Sequence, residues 1–174
     1  LKLGAVANNN ASGSYSLTFG GNNVELVSLS GTGDTRFTGT GAKIATLTAS
    51  GTISGPVQVT NFNGGTLSLS DASVVDTLTG GNLTLSNGTS VGTVLGGTLN
   101  LTNGGTVTTL TAGTVNADGG TTTITTLGAG AINVAVDSGA TVQVAGGVSS
   151  ATISGQGTVE ITGSTTIAGS TTYS

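Results

Sequence analysis

The stretch from Gly64 to Gly128 decides the fold, because it contains four consecutive blocks of sixteen residues. The blocks read GGTLSLSDASVVDTLT, GGNLTLSNGTSVGTVL, GGTLNLTNGGTVTTLT and AGTVNADGGTTTITTL. Apolar residues and turn residues recur at the same places in successive blocks. A fixed period with both kinds of residue in phase is typical of a solenoid, in which each repeat is one coil stacked on the last.

Residues sixteen apart form columns, a term used here for equivalent positions in successive coils. The apolar columns are Leu67, Leu83, Leu99 and Val115; Leu69, Leu85, Leu101 and Ala117; Val75, Val91, Val107 and Thr123; and Leu78, Val94, Leu110 and Thr126. The corner columns are Gly65, Gly81, Gly97 and Gly113, and Asp71, Asn87 and Asn103. Glycine, asparagine and aspartate tolerate positive φ, which tight corners require.

The spacing within one coil predicts its shape. Leu83 and Leu85 alternate with polar residues, which predicts a strand with one buried face. Val91 and Val94 are three apart, so a bend or bulge is expected near Gly92–Thr93. We predict an all-β fold, a parallel β-solenoid (β-helix) with coils of about 16 residues. Its cross-section is expected to be two-sided or a small triangle.

The extent of the sixteen-residue period divides the chain into two predicted segments. Residues 1–33 do not follow it and are expected to form an irregular N-terminal cap or edge-strand segment, since an open sheet end invites pairing with another chain. Residues 34–174 are predicted to form the β-solenoid repeat domain. After Gly128 the phase is expected to slip by one, which places Ile132 and Val134 seventeen residues after Val115 and Ala117.

Composition excludes several classes of protein. The 174 residues carry three basic and seven acidic side chains, a net charge of −4, so nucleic-acid binding and attraction to anionic lipid are not expected. The absence of Cys and His excludes disulfides and the usual zinc ligands. We expect no signal peptide within these residues, and no apolar run is long enough to span a membrane. A chain starting at Leu1 is expected to be a processed form or a fragment.

Asp71 and Asp76 are the acidic pair closest in sequence, and paired carboxylates can perform general acid–base catalysis. Catalysis would need supporting residues, yet the chain has no His, no basic residue near this pair and no aromatic platform for a sugar. We therefore expect Asp71 to occupy a corner and Asp76 to lie near the bend. No catalytic, cofactor-binding or metal-binding residue is predicted, and the protein is not expected to be an enzyme.

Calcium remains an alternative at one place. The segment from Ser30 to Thr35, SGTGDT, partly matches the nonapeptide of calcium-binding β-rolls. The match occurs once and is not tandem. Asp34 and backbone carbonyls are oxygen ligands of the kind that calcium prefers.

Polar columns are predicted on the outside of the coils. One face would carry Thr66, Ser68, Asn82, Thr84, Thr98, Asn100, Thr114 and Asn116, and a second column would carry Thr77, Thr93, Thr109 and Thr125. Flat ladders of threonine on a β-solenoid resemble ice-binding surfaces. Asparagine interrupts these ladders, so a solvated β-surface is the favoured interpretation.

The repeats GGTLSLS, GGNLTLSNGTS and GGTLNLTNGGT within Gly64–Gly128 resemble those of autotransporter passengers and filamentous-haemagglutinin-type adhesins. They are also similar to repeats of some Gram-negative surface-layer proteins. The resemblance is one of repeat style over about two-thirds of the chain. It implies a secreted or cell-surface β-solenoid that acts as a stalk, an adhesin or a lattice element.

Three functions are open at this point. The favoured one is an extracellular bacterial structural protein that self-associates into a homo-oligomer, filament, stalk or surface layer, without cofactors and without membrane insertion. The alternative is an adhesin or ice-binding module that uses its outward Thr and Asn ladders, with a cell-surface or glycan partner. A polysaccharide-acting enzyme is disfavoured.

Overall fold

The chain folds as the predicted parallel β-solenoid, with coils of about 17 residues. The computed structural model describes residues 1–10, 15–86, 89–168 and 171–173. The described part of the chain contains strands and turns and no helix. Asn87, predicted to lie at a corner, falls outside the described residues.

The strands form two sheets, and each coil contributes to both. Sheet 1 contains β1 (Lys2–Asn8), β3 (Glu25–Gly31), β5 (Ala42–Ala49), β7 (Val57–Gly64), β9 (Val74–Leu78), β11 (Ser90–Val94), β13 (Gly105–Leu110), β15 (Gly120–Leu127), β17 (Ala140–Val144), β18 (Gly147–Ser149), β20 (Thr158–Ile161) and β21 (Thr165–Ile167). Sheet 2 contains β2 (Tyr15–Phe19), β4 (Asp34–Phe37), β6 (Gly51–Ser54), β8 (Thr66–Leu69), β10 (Asn82–Ser86), β12 (Thr98–Thr102), β14 (Gly113–Asp118), β16 (Ile132–Val136), β19 (Thr152–Gly155) and β22 (Thr171–Tyr173).

The predicted columns lie in register through the central coils. Leu83 pairs with Leu67 on one side and with Leu99 on the other, and Val91 pairs in the same way with Val75 and Val107. All these side chains are buried, in one core that follows the axis of the coil. Neighbouring parallel strands lie about 4.8 Å apart, so like side chains stack directly on one another. The core is therefore built from stacked aliphatic side chains, since the chain contains few aromatic residues.

The bend predicted near Gly92–Thr93 is present in β11. Val91 and Val94 are buried, whereas the two residues between them are half-buried, so the alternation of a flat strand is broken. Gly92 is also skipped in the pairing of β11 with both neighbours. The bend gives sheet 1 two short faces and lets both valines point into the core.

The corner column of glycines adopts the predicted left-handed backbone. Gly65, Gly81, Gly97 and Gly113 have φ values of 98°, 84°, 80° and 106°. A Cβ atom added to Gly97 would lie 2.7 Å from the carbonyl oxygen of Gly81 in the coil before it. The corners therefore exclude a side chain for two reasons, the backbone conformation and the close approach of the previous coil.

The expected phase slip was placed too late in the chain. In sheet 1, the pairing of strands already shifts by one residue in the fourth block. As a result, two apolar residues take the places in the buried columns that were predicted for threonines. These pairs are Val107–Ile124, instead of Thr123, and Leu110–Leu127, instead of Thr126. The extra residue lies in the corner between Asp118 and Thr122, because Thr102 and Asp118 still pair at a spacing of sixteen.

The spacing predicted after Gly128 was also wrong. Val115 pairs with Val134 and Gly113 with Ile132, a separation of nineteen residues rather than seventeen. Two further residues are accommodated in the corner that follows Leu127. Corners can absorb such insertions because the strands on either side keep their register and their buried faces.

Residues 1–33 contribute β1, β2 and β3 to the same two sheets. Lys2 pairs with Glu25 and Glu25 pairs with Lys43, at separations of 23 and 18 residues, so these coils are longer than the central ones. β1 is the last strand of sheet 1 at this end, and β2 is the last strand of sheet 2. The capping role expected for this segment stays a prediction.

Candidate functional site

Asp71 lies at a corner, as predicted, and its carboxylate has partners there. Its φ is 63°, and its carboxylate accepts hydrogen bonds from the backbone N–H of Gly55, at 3.0 Å, and from the hydroxyl of Ser70, at 2.8 Å. The bond from Gly55 is the larger cause and that from Ser70 the smaller one of a pKa below the ordinary aspartate value. The Asp71 carboxylate thus ties its corner to the coil before it.

Asp76 lies on the outer side of β9 and has a different partner. Its carboxylate oxygens are 3.3 and 3.4 Å from the side-chain Nε2 atom of Gln58, which donates to them. Asp71 and Asp76 therefore do not share a hydrogen-bond partner. These contacts fit the interpretation of both as structural residues, and the absence of catalysis stays a prediction.

Asp34, the acidic residue of the proposed calcium segment, is only 8% exposed. Its Oδ1 atom accepts a hydrogen bond from the backbone N–H of Thr52 at 2.8 Å, in the next coil. Among the described residues, no group of three or more His, Cys, Asp or Glu side chains could hold a metal ion. Calcium binding at Asp34 stays an untested alternative.

Asn8, which no sequence pattern singled out, is buried beside Asp34. Its Nδ2 atom donates to the backbone carbonyl of Asp34, at 3.0 Å, and to the hydroxyl of Thr35, at 3.1 Å. Asn8 lies at the end of β1, whereas Asp34 begins β4, so this contact connects the two sheets across 26 residues. Buried polar groups in folded proteins are generally hydrogen-bonded, as these are.

The outward columns of sheet 2 are in the predicted register. Asn82 pairs with Thr66 and Thr98, and Asn100 pairs with Thr84 and Asn116. The amides bond to one another: Asn116 Nδ2 donates to Asn100 Oδ1 at 2.7 Å, and Asn100 Nδ2 donates to Asn82 Oδ1 at 2.6 Å. Part of this face is therefore occupied by an internal ladder of amides.

The outward threonine column of sheet 1 was predicted correctly in three of its four members. Thr93 pairs with Thr77 and with Thr109, but Thr109 then pairs with Thr126 rather than with Thr125. The same extra residue in the corner after Asp118 causes this shift. Thr77, Thr93 and Thr109 are half-buried at the bend.

A column of charged and amide side chains on sheet 1 was not predicted. It runs through Lys2, Glu25, Lys43 and Gln58 at one end and reaches Gln143 and Glu160 at the other. Its members are separated by 15 to 23 residues in sequence, so the sixteen-residue period conceals it. We refer to this row as the charged column.

Opposite charges meet within the charged column. Lys2 Nζ lies 2.9 Å from Glu25 Oε2, and this hydrogen bond is the largest cause both of the raised pKa of Lys2 and of the lowered pKa of Glu25. Gln143 Nε2 donates to Glu160 Oε2 at 2.8 Å. Because the Lys2 and Glu25 side chains are 82% and 43% exposed, their ion pair contributes little stability by itself. The pair shows that oppositely charged residues are neighbours in the charged column.

At each end of sheet 1, the outermost described strand has one neighbour. β1 pairs with β3, and β20 pairs with β17. The described residues contain no helix that is long and apolar enough to cross a membrane.

The fold defines the chain as a β-solenoid repeat protein. Comparison of the chain with protein-family models, with curated proteins and with solved structures finds no significant match. The similarity to autotransporter passengers, filamentous-haemagglutinin-type adhesins and surface-layer proteins therefore stays a resemblance of repeat style.

Proposed function

We propose that the chain is a non-enzymatic structural protein of the bacterial cell surface, which self-associates into a filament, a stalk or a surface layer. The observation that carries this proposal is the regular parallel pairing of like coils along both sheets, with equivalent side chains in register. Stacked repeats of this kind present extended surfaces to a partner. The low charge of the molecule, 6% of residues, removes much of the repulsion that would oppose self-association.

The proposed extracellular location is supported by the composition. The chain has no cysteine and few charges, and its outer faces carry Thr, Ser and Asn. A core of stacked aliphatic columns needs neither a disulfide nor a metal ion to hold it. These properties suit a protein that works outside the cell.

Sedimentation velocity over a range from micromolar to millimolar protein, with electron microscopy of the same samples, tests self-association. We expect the mass to rise with concentration and elongated particles to appear. A chain that remains monomeric at the highest concentration, without fibres, would contradict the proposal.

The regular polar face of sheet 2 supports a second candidate, an adhesin or ice-binding module. Thr66, Asn82, Thr98 and Thr114 follow one another in register on this face. Thermal hysteresis and binding to immobilised glycans would detect these activities. A Thr98→Lys substitution should abolish either one if the face is the binding surface, whereas Thr109→Lys, on the other sheet, should not.

A further inference from the structure

We propose that two copies of this chain pack against each other through the outer faces of sheet 2, with their coils in opposite order, so that Arg36 of each copy lies opposite Asp118 of the other. This inference rests on the proposed self-association and specifies a lateral contact within it. The contact lies on the side of the rod, and its charged residues belong to β4 and β14, within the stack of coils.

The outer face of sheet 2 carries three outward columns, which alternate with the buried columns along each strand. From β8 to β14, two of these columns consist of uncharged side chains, namely Thr66, Asn82, Thr98 and Thr114, and Ser68, Thr84, Asn100 and Asn116. A second copy of the same face therefore meets no charge repulsion from them. Their side chains are short, so two such faces can approach to the spacing of about 10 Å that is usual for packed sheets.

The third outward column, at the carboxyl ends of the strands, carries exposed charges. Arg36 pairs with Thr18 and with Ser54, and Asp118 pairs with Thr102. In the order of the coils, the whole column is Thr18, Arg36, Ser54, Ser70, Ser86, Thr102, Asp118 and Asp137. It therefore has a basic residue near one end, hydroxyl residues in the middle and acidic residues near the other end.

The third column is complementary to its own reverse. A two-fold axis that lies between the two faces and runs along the strands reverses the order of the coils but keeps each column opposite itself. We place this axis between β8 and β10. The facing residues of the two copies are then Ser70 and Ser86, Ser54 and Thr102, Arg36 and Asp118, and Thr18 and Asp137. Because the contact is two-fold symmetric, each of these pairs occurs twice.

Asp118 and Asp137 give a reason for a cation to bind at this place. They directly follow the paired residues Ala117 and Val136, so they are neighbours on adjacent coils, and both are exposed. Like charges in such positions repel each other. The guanidinium of Arg36 from a second copy offsets this repulsion. Packing with the coils in the same order would instead turn the third column towards the uncharged column of Thr66.

The area of this contact is large enough for a stable dimer. The strands from β2 to β16 of sheet 2 overlap in the proposed arrangement. With about 4.8 Å between strands and about 3.3 Å per residue, their faces bury about 1,300 Å² over the two copies. Specific interfaces bury about 1,200–2,000 Å². A two-fold contact closes at two copies, so it supplies one of the contacts that a filament or a layer needs.

A charge-reversal experiment tests the pairing of Arg36 with Asp118. Arg36→Glu and Asp118→Arg, each alone, place like charges opposite each other twice in the dimer, and each should weaken dimerisation by about tenfold in sedimentation equilibrium. The double variant should recover dimerisation, and so should an equimolar mixture of the single variants, because opposite charges then face each other at both places. Lys43→Glu and Glu160→Arg make the same charge changes on sheet 1 and should leave dimerisation unchanged. Circular dichroism of every variant checks that the fold is retained.

Chemical crosslinking tests the opposite order of the coils while Arg36 and Asp118 stay unchanged. The chain contains no cysteine, so Thr18→Cys and Asp137→Cys can be prepared as separate proteins with one thiol each. Packed sheets lie about 10 Å apart, too far for a disulfide, so a short bifunctional thiol reagent is used. The mixture should give a crosslinked dimer. Either variant alone should not, since its two thiols lie about 34 Å apart along the rod, and neither should Thr18→Cys mixed with Glu160→Cys.

The outcomes separate this inference from the proposed function. Association without a crosslink between the Thr18→Cys and Asp137→Cys variants, or without any effect of the charge reversals, would overturn the face-to-face contact and leave self-association standing. A chain that stays monomeric at all concentrations would overturn both. Recovery in the double variant and in the mixed sample, together with the specific crosslink, is the expected result.

Discussion

The side-chain amide of Asn100 donates a hydrogen bond to the Oδ1 atom of Asn82 at 2.6 Å, on the outer face of sheet 2. Asn100 also accepts one from Asn116 at 2.7 Å, so three amides form a continuous chain along the axis. In this chain the middle residue acts as donor and as acceptor at once. Side chains on the outer face therefore bond to one another from coil to coil, in the same direction as the backbone hydrogen bonds between strands.

The chain of amides predicts that the side-chain N–H donor of Asn100 contributes to the stability of the fold. Asn100→Asp keeps the shape but directs a carboxylate at the Asn82 oxygen. Because this bond lies at the exposed surface, the change should lower the free energy of unfolding by about 0.5–1.5 kcal/mol at neutral pH. Asn63→Asp is the control, because the Oδ1 atom of Asn63 accepts a bond from Thr79 and the aspartate keeps that acceptor. Urea unfolding of both variants measures the difference. Equal stability of the two would contradict the role given to the amide chain.

The stacked core predicts different costs for two leucines. Leu99 is fully buried in its column, and Leu99→Ala should lower the free energy of unfolding by about 2–5 kcal/mol through lost apolar contact and the cavity left behind. Leu95 is 48% exposed, and Leu95→Ala should cost less than about 0.5 kcal/mol. Chemical denaturation monitored by circular dichroism compares them. A small effect at Leu99 would argue against a close-packed interior.

Substitution of the corner glycines is predicted to lower the free energy of unfolding through two separate effects. Gly97→Ala combines a left-handed backbone with a Cβ 2.7 Å from the Gly81 carbonyl oxygen, whereas Gly139→Ala meets only the backbone penalty, since no atom lies within 4 Å of its Cβ. We expect a loss of about 1–2 kcal/mol at Gly139 and a larger one at Gly97. Thermal unfolding of the two variants measures both. The reverse order would show that the coils can move apart at the corners.

The Asp71 carboxylate predicts a contribution to stability that depends on pH. Its pKa is lower in the folded chain, so its stabilising effect is fully present above the unfolded-state pKa of about 3.9. The effect is lost as the pH falls through the lower, folded-state pKa. Asp71→Asn keeps an acceptor oxygen for the Gly55 N–H and should remove this part of the pH dependence. Carboxyl NMR titration checks the direction, and a folded-state pKa at or above the ordinary value would contradict it.

The parts of the fold that were predicted correctly are those in which every coil has the same length. Leu67, Leu83 and Leu99 follow at sixteen residues because the corners between them hold the same number of residues. The corner positions were also visible, since Asp71 and Asn103 are residue types that adopt positive φ readily and both do so, at 63° and 67°. Identical coils make sequence spacing a direct measure of position along the axis.

The errors occur where corners change length. A single additional residue after Asp118 replaces Thr123 with Ile124 in the core, and periodicity alone does not show on which side of a corner an insertion falls. The charged column was missed for the same reason, because Lys2, Glu25 and Lys43 are separated by 23 and then 18 residues. Asn8 was missed because a polar residue at a strand end has no distinctive pattern.

The sequence by itself determined that the chain is a parallel β-solenoid, since a repeated set of buried aliphatic positions and left-handed corners is satisfied by stacking coils in phase. Tertiary structure alone decided which residues of unequal coils become neighbours, as in the meeting of Lys2 with Glu25 and of Asn8 with Asp34. The physical reason is that hydrogen bonding between coils fixes the strands in register, whereas the corners can hold different numbers of residues. In coils of unequal length, the pairing of strands decides which residues become neighbours. The separation of these residues in sequence does not predict the contacts.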